Sequence, residues 1–295
     1  MTEIGTRGKF GLTDLMLLTM ATIWAINFSV VKYATRTIPP MAFTGLRVGI
    51  CALVLLAIVA VQRKPWPSGR DILILILLGV VGNGLYQLLF VEGVSRTRAG
   101  NAALIVAAAP GFIAVASRLR GIERASKRVL SGIALSILGV GFVVLGSSSS
   151  AQGENTFFGS LLVFSGVLCW TAYTIGLQPL TKRIDPVQLA TFAMIGGTLP
   201  LALTTVPSIV HTDWSRVTLG GWLSVFYASV LSMVVGYMFW YRGLKVLGPT
   251  RTASYSNLQP VIALAVAWIF LHEVPTGWQV VGVGTIMSGV LLTRS

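Results

Sequence analysis

Charge is what this sequence has least of. Charged side chains make up 11% of its 295 residues, and only nine of them are Asp or Glu. A water-soluble domain carries about 25% charged residues, so this chain lacks the polar surface to dissolve. Cysteine is nearly absent: Cys51 and Cys169 are too few for a disulfide framework or a cysteine zinc site. Histidine is equally thin, with His211 and His272 alone. Neither a metal centre nor a hydrolytic constellation can be assembled from such a set. The expectation is no enzyme, no resident metal and no cofactor.

What the chain has instead is long apolar runs. A membrane-spanning helix needs about 20 such residues. Ten segments qualify, at about 12–33, 40–61, 71–92, 99–118, 128–146, 157–177, 186–208, 218–242, 249–270 and 276–293. They leave no room for a soluble domain. The first is followed by more spans and has no small-residue cleavage site, so it reads as a span and not as a signal peptide.

The 22 basic residues give a net charge of +13. With the N-terminus in the cytoplasm, 16 of them fall on the cytoplasmic side and five on the other, with Arg47 inside a span. That asymmetry is the positive-inside bias and places both termini in the cytoplasm. The densest cluster is Arg118, Arg120, Arg124, Lys127 and Arg128. It reads as topology-setting, because a nucleic-acid patch would bring interleaved aromatics on a folded platform.

The chain also repeats itself. A shift of 150 aligns Gly93/Gly243, Ala103/Ala253, Pro110/Pro260, Glu123/Glu273, Gly132/Gly282 and Gly139/Gly289; a shift of 146 aligns Trp24/Trp170 and Pro40/Pro186. The halves are residues 1–146 and 157–295, joined by a Ser-rich linker at 147–156. Five spans per half make the second copy inverted relative to the first, a plan common among secondary transporters. The fold class expected is therefore all-α and polytopic, with ten transmembrane helices in two inverted five-helix repeats.

Pro110 and Pro260 occupy equivalent points. A proline inside a span leaves a carbonyl without its partner, which is tolerated only against protein or cavity water. One reading makes the pair bends that face the interior; the other makes them simple kinks. The first helix is lined with alanine, the second with Ser254, Tyr255, Ser256, Asn257 and Gln259.

Two stretches carry a family resemblance: "GVSRTRAGNAALIVAAAPGFIAVASRLRGIE" and "GLKVLGPTRTASYSNLQPVIALAVAWIFLHE". They look like the paired signature of the drug/metabolite transporter superfamily, EamA branch. "TIWAINFSVVKYA" resembles that family's first helix and "GWQVVGVGTIMSGVLL" its last. "GNGLYQLLFVEGV" and the aromatic content are similar to bacterial amino-acid exporters, including those for aromatic amino acids. The resemblance implies a central cavity lined by the first, third, fourth, sixth, eighth and ninth spans, with the fifth and tenth at the periphery. Glycines about four apart in "GIALSILGVG" and "GVGTIMSG" suit close helix packing.

Polar residues inside spans are costly and therefore informative. The candidate substrate-binding set is Trp24 and Asn27; Asn83, Tyr86 and Gln87; Asn101; Trp170 and Tyr173; Tyr237; and Ser254 with Asn257. These amides and rings suit an amino-acid zwitterion, with aromatic faces for its ammonium. Trp240 and Tyr241, near a span end, read as an interfacial belt. Arg47 either attracts a substrate carboxylate or pairs with Glu92. "TGLR" resembles a second-helix arginine of the same family. Glu123 and Glu273 precede the fifth and tenth spans, where a carboxylate complements a helix N-terminus.

All nine acids fall at span ends or in loops. No interior relay for protons is evident, which favours facilitated diffusion. The expected function is a secondary transporter that exports amino acids and related small metabolites across a bacterial inner membrane by alternating access. The alternative is a proton-coupled multidrug or metabolite exporter. Phosphorylated substrates would want several interior cations, and Arg47 stands alone. The partners expected are a small-molecule substrate and the lipid bilayer, not nucleic acid, with the oligomeric state open and a monomer sufficient.

Overall fold

The computed structural model describes residues 11–121, parts of 131–142 and 153–294. Most of the fifth span and linker, with Glu123, Arg124, Lys127 and Arg128, lies outside the described residues. Among those described there is no strand. Eight helices are long and apolar enough to cross a membrane. They are α1 (Leu12–Ala34), α2 (Pro40–Gln62), α3 (Gly69–Arg96), α4 (Ala99–Leu119), α5 (Gly153–Thr181), α6 (Pro186–His211), α7 (Leu219–Leu247) and α8 (Pro249–Leu271). A ninth helix, α9 (Gly277–Arg294), follows.

Their starts are written in local chemistry. Asp185 caps α6 by accepting from the Val187 amide at 3.0 Å, with Pro186 at the first helical position. Ser68 caps α3 through the Asp71 amide, and Thr218 caps α7 through the Gly221 amide. Each cap satisfies an orphan donor where the helix begins.

Glycine sets how closely the helices cross. A Cβ added at Gly196 would lie 2.1 Å from the Ile76 carbonyl oxygen, and one at Gly79 would lie 1.9 Å from that of Ala193. α3 and α6 therefore touch backbone to backbone, as small residues allow in membranes. Gly139 is pressed against Ile286 and the Gly282 carbonyl, so that pair of glycine-rich stretches packs within one chain.

Four helices are irregular, and they fall in pairs. α3 contains a π-helical segment at Val80–Leu85 and α7 one at Tyr227–Val235. α4 breaks after Val106 and restarts at Ala109, and α8 passes through a 3-10 segment at Tyr255–Leu258 before Gln259. Pro110 and Pro260 each take the second position of the restarted helix, where no amide is required of them. The prolines are thus helix starts inside a span.

Candidate substrate cavity

The irregular helices enclose a cavity with walls from α1, α2, α3, α4, α5, α7 and α8. Trp170 on α5 sits at its centre. Its ring lies 5.9 Å from Trp24, 5.2 Å from Tyr86, 5.7 Å from Tyr237 and 5.5 Å from Trp240. Trp24 meets Trp170 edge to face at 83°, an arrangement that the ring quadrupoles favour. Gly236 makes room for Trp24: a Cβ there would fall 2.4 Å from its indole nitrogen. That nitrogen donates to the Ser232 carbonyl at 2.8 Å, inside the π segment of α7.

One of these contacts joins residues that the 146 shift had paired, Trp24 and Trp170, and the structure adds a second pair: Gln87 donates through Nε2 to the Tyr237 hydroxyl at 2.7 Å across 150 positions. Equivalent points of the two halves therefore face one another on the cavity wall.

Arg47 projects from α2 into the same space and is buried. Its Nη2 donates to Gln87 Oε1 at 2.9 Å, its Nε reaches Met233 Sδ at 3.4 Å, and Nη1 has no partner. The Phe43 and Phe90 rings lie 5.9 and 5.8 Å from the guanidinium carbon, close enough for cation–π attraction. The pairing of Arg47 with Glu92 is not formed. Glu92 accepts instead from Arg96 one turn away, at 2.8 Å, because the i,i+4 spacing on one helix puts that cation nearer.

The other candidates divide. Asn27 lines the cavity, as do Pro110 and Tyr86. Asn83 and Tyr173 are buried one layer behind it, where Asn83 Nδ2 reaches the Tyr173 hydroxyl at 3.2 Å and that hydroxyl also meets Tyr241. Asn101 sits away from the cavity and accepts from Gln279 at 2.8 Å. Ser254 bonds back to the Arg251 carbonyl, and Asn257 is buried; neither lines the cavity, nor does Pro260. Trp240 and Tyr241 are not a belt. Both are fully buried, at 1% and 0% exposure, and Trp240 lines the cavity. Tyr237, Trp240 and Tyr241 stand at i, i+3, i+4, so the face that carries Tyr237 inward carries them too. Gln259 also joins the wall, and its place just before Pro260 was the available signal. Glu273 caps the start of α4 instead of α9, lying 3.4 Å and 3.5 Å from the Ala99 and Gly100 amides.

Space inside is limited. The cavity volume is about 50 Å³. No Asp or Glu lines the walls, and no cluster of metal-ligating side chains occurs among the described residues.

Comparison with known proteins agrees with this architecture. The profile of the EamA-like transporter family matches residues 11–145 and again 157–295. An uncharacterized transporter of Bacillus subtilis, YyaM, is 25% identical over 94% of this chain and 92% of its own. A probable terminal-alkyne amino-acid exporter of Streptantibioticus cattleyicolor is 27% identical over 92% of each chain. A probable amino-acid metabolite efflux pump of Salmonella typhimurium is 26% identical over 94% of this chain and 93% of its own. A solved crystal structure, 19% identical, superposes with a TM-score of 0.66 over 96% of this chain and 97% of its own, a likeness of fold. The chain therefore belongs to the EamA-like transporter family and is a multi-pass membrane transporter, not an enzyme.

Proposed function

We propose that the protein exports amino acids and related small metabolites across the bacterial inner membrane by alternating access, as a uniporter. In this reading ten helices form two inverted five-helix repeats, residues 1–146 and 157–295, with both termini in the cytoplasm. The supporting observation is that Trp24 meets Trp170 and Gln87 meets Tyr237 on the cavity wall. Residues that touch their own equivalents lie on a two-fold axis. An axis in the membrane plane is where inverted-repeat transporters keep their site. A cavity of about 50 Å³ has to widen for a larger guest, and exchange of conformation between the halves supplies that motion. The names of two relatives, an amino-acid exporter and an amino-acid metabolite efflux pump, support the substrate class.

The test is counterflow in liposomes that contain the purified protein and are preloaded in turn with unlabelled amino acids, nucleotide sugars or a cationic dye. Amino-acid counterflow without a pH gradient is expected; transport of the dye alone would overturn the reading. One observation favours proton coupling as the alternative: Asp14, at the start of α1, accepts from the Tyr255 hydroxyl and lies 3.8 Å from Arg251. Accumulation that requires a pH gradient would decide for it.

A further inference from the structure

We infer that, among amino acids and their metabolites, the cavity prefers a monoanionic carboxylate to a zwitterion or a cation, and that the membrane potential drives this anion out of the cell. This rests on the cavity being the transport site. Arg47 is 2% exposed and, among the described residues, is the one charged side chain on the cavity wall. A guanidinium removed from water without an anion is costly. Phe43 and Phe90 soften that cost through their ring faces but leave the charge in place.

The unpartnered atoms on the wall point the same way. Arg47 Nη1, Trp240 Nε1 and Gln259 Nε2 are buried donors without acceptors, and Asn27 Oδ1 is a buried acceptor without a donor. Amides can be turned about, whereas a guanidinium and an indole can only donate. A carboxylate offers only acceptors and one negative charge, which is what donors such as Arg47 Nη1 and Trp240 Nε1 lack. One N–H or O–H elsewhere on the guest would satisfy Asn27. Trp24, Tyr86 and Trp170 supply flat apolar walls for its body. A zwitterion would neutralise Arg47 and then set its own ammonium, with three donors, in a cavity already short of acceptors. An acylated or otherwise amine-blocked amino acid has the right balance.

The energetic consequence follows from the charge. Moving one negative charge outward across 100 mV, negative inside, favours export about 50-fold, the ratio that corresponds to ~2.3 kcal/mol per charge. With no Asp or Glu on the wall to carry a proton, the substrate itself supplies the coupling to the membrane potential.

Labelled N-acetylphenylalanine (net charge −1), phenylalanine (a zwitterion) and phenethylamine (net charge +1) would be loaded separately into liposomes with the full-length protein. Potassium gradients with valinomycin would set 100 mV of either sign, and protein-free liposomes would give the leak. Expected is N-acetylphenylalanine efflux that an inside-negative potential accelerates, with a final distribution shifted about 50-fold, and slow, potential-independent movement of the other two. Arg47→Gln, checked for monodispersity, is expected to raise the half-saturating N-acetylphenylalanine concentration at least tenfold, with partial rescue by Arg47→Lys. Should the variants fail to fold, the wild-type charge preference and its response to potential decide alone. Preferred transport of phenylalanine, or N-acetylphenylalanine movement indifferent to potential, would overturn this inference and leave the exporter reading standing. Preferred transport of phenethylamine would overturn both. So would failure of all three compounds and of the whole counterflow panel.

Discussion

The two ends of the bundle are tied by different chemistry. At the end where α1, α3, α6 and α8 begin, three ion pairs among the described residues join separate segments: Asp14 with Arg251, Asp71 with Arg183 at 2.5 Å, and Asp185 with Lys64 at 2.6 Å. At the other end the ion pairs stay local, Arg96 with Glu92 and Arg216 with Asp213. No described ion pair joins separate helices there: Thr97 meets Ser160 at 3.0 Å and Asn101 meets Gln279 at 2.8 Å, while the charged groups of Lys32, Arg98 and Glu273 reach backbone atoms of other segments. The contrast falls on equivalent positions. Asp14 and Ser160 are 146 apart, and Arg251 and Asn101 are 150 apart. Beyond the backbone contact of α3 with α6, the glycine contacts at the two ends differ as well. At the neutral end Gly159 and Gly93 are in contact, and a Cβ on either would come within 2.8 Å of the other's carbonyl. At the ionic end Gly243 faces side chains, Thr252 at 2.7 Å and Leu17 at 2.9 Å. Partly exposed ion pairs are individually worth ~0–1 kcal/mol and are readily replaced by water. A joint made of them opens more easily than buried hydrogen bonds over touching backbone. On the proposed topology the ionic end is the cytoplasmic one, where the proposed export would begin.

The hardest test of this difference is steric. Gly159→Val forces a branched side chain into the Gly93 carbonyl and the Thr97 amide, and overpacking against backbone is expected to cost about 3 kcal/mol or more. Gly243→Ala, at the equivalent of Gly93, meets side-chain atoms that can turn aside, and about 1 kcal/mol is expected. Unfolding temperatures of the purified variants compare the two. Equal losses would show that both ends are backbone-locked.

The second test is electrostatic. Asp14→Asn keeps the side chain's shape and removes the charge that Arg251 faces. A cysteine placed at Ser256, on the cavity wall just inside the ionic end, should then react several-fold faster with a membrane-impermeant maleimide from the cytoplasmic side. The native Cys51 and Cys169 would be replaced with alanine for this measurement. Thr97→Val should leave that rate unchanged, since it acts at the opposite joint. Its own cost, read as a lower unfolding temperature, is about 1 kcal/mol for a lost neutral hydrogen bond and should not vary with pH. A labelling rate that responds equally to both variants would mean that the ends are not independent.

Much of this architecture is legible in the sequence, and the limits have physical causes. Span positions follow from apolar length alone, so the expected 12–33 and 40–61 meet Leu12–Ala34 and Pro40–Gln62. The 146 shift paired Trp24 with Trp170, and the two rings meet on the cavity wall. The π segments were invisible: nothing in hydropathy separates a wide turn from an ordinary one at Val80–Leu85. Single-helix polarity also misled. Asn83 is as polar as Asn27, but it faces Tyr173 across a helix contact, and only the position of the neighbouring helix decides which amide meets the cavity. For Arg47 the sequence left open a pair with Glu92 or a substrate carboxylate; the structure gives it Gln87 of α3, and Glu92 of the same helix is held by Arg96.

The smallest expected effect concerns Asp185, at the ionic end. Burial alone would raise its carboxyl, but the Lys64 hydrogen bond and the Val187 amide outweigh that and hold it below the usual carboxylate value. A carboxylate with a lowered folded-state value contributes fully above about pH 4 and loses its contribution as pH falls through that lowered value. Asp185→Ala removes both cap and bridge and should cost about 1 kcal/mol at neutral pH. Asp185→Asn keeps a good N-cap and gives up only the half-exposed bridge, so its loss should be smaller, within ~0–1 kcal/mol. Unfolding temperatures of the three proteins at pH 7 separate cap from charge. If Asn were as damaging as Ala, the ion pair, not the cap, would be holding this corner. The ionic end would then resist opening more strongly than water-exposed pairs allow.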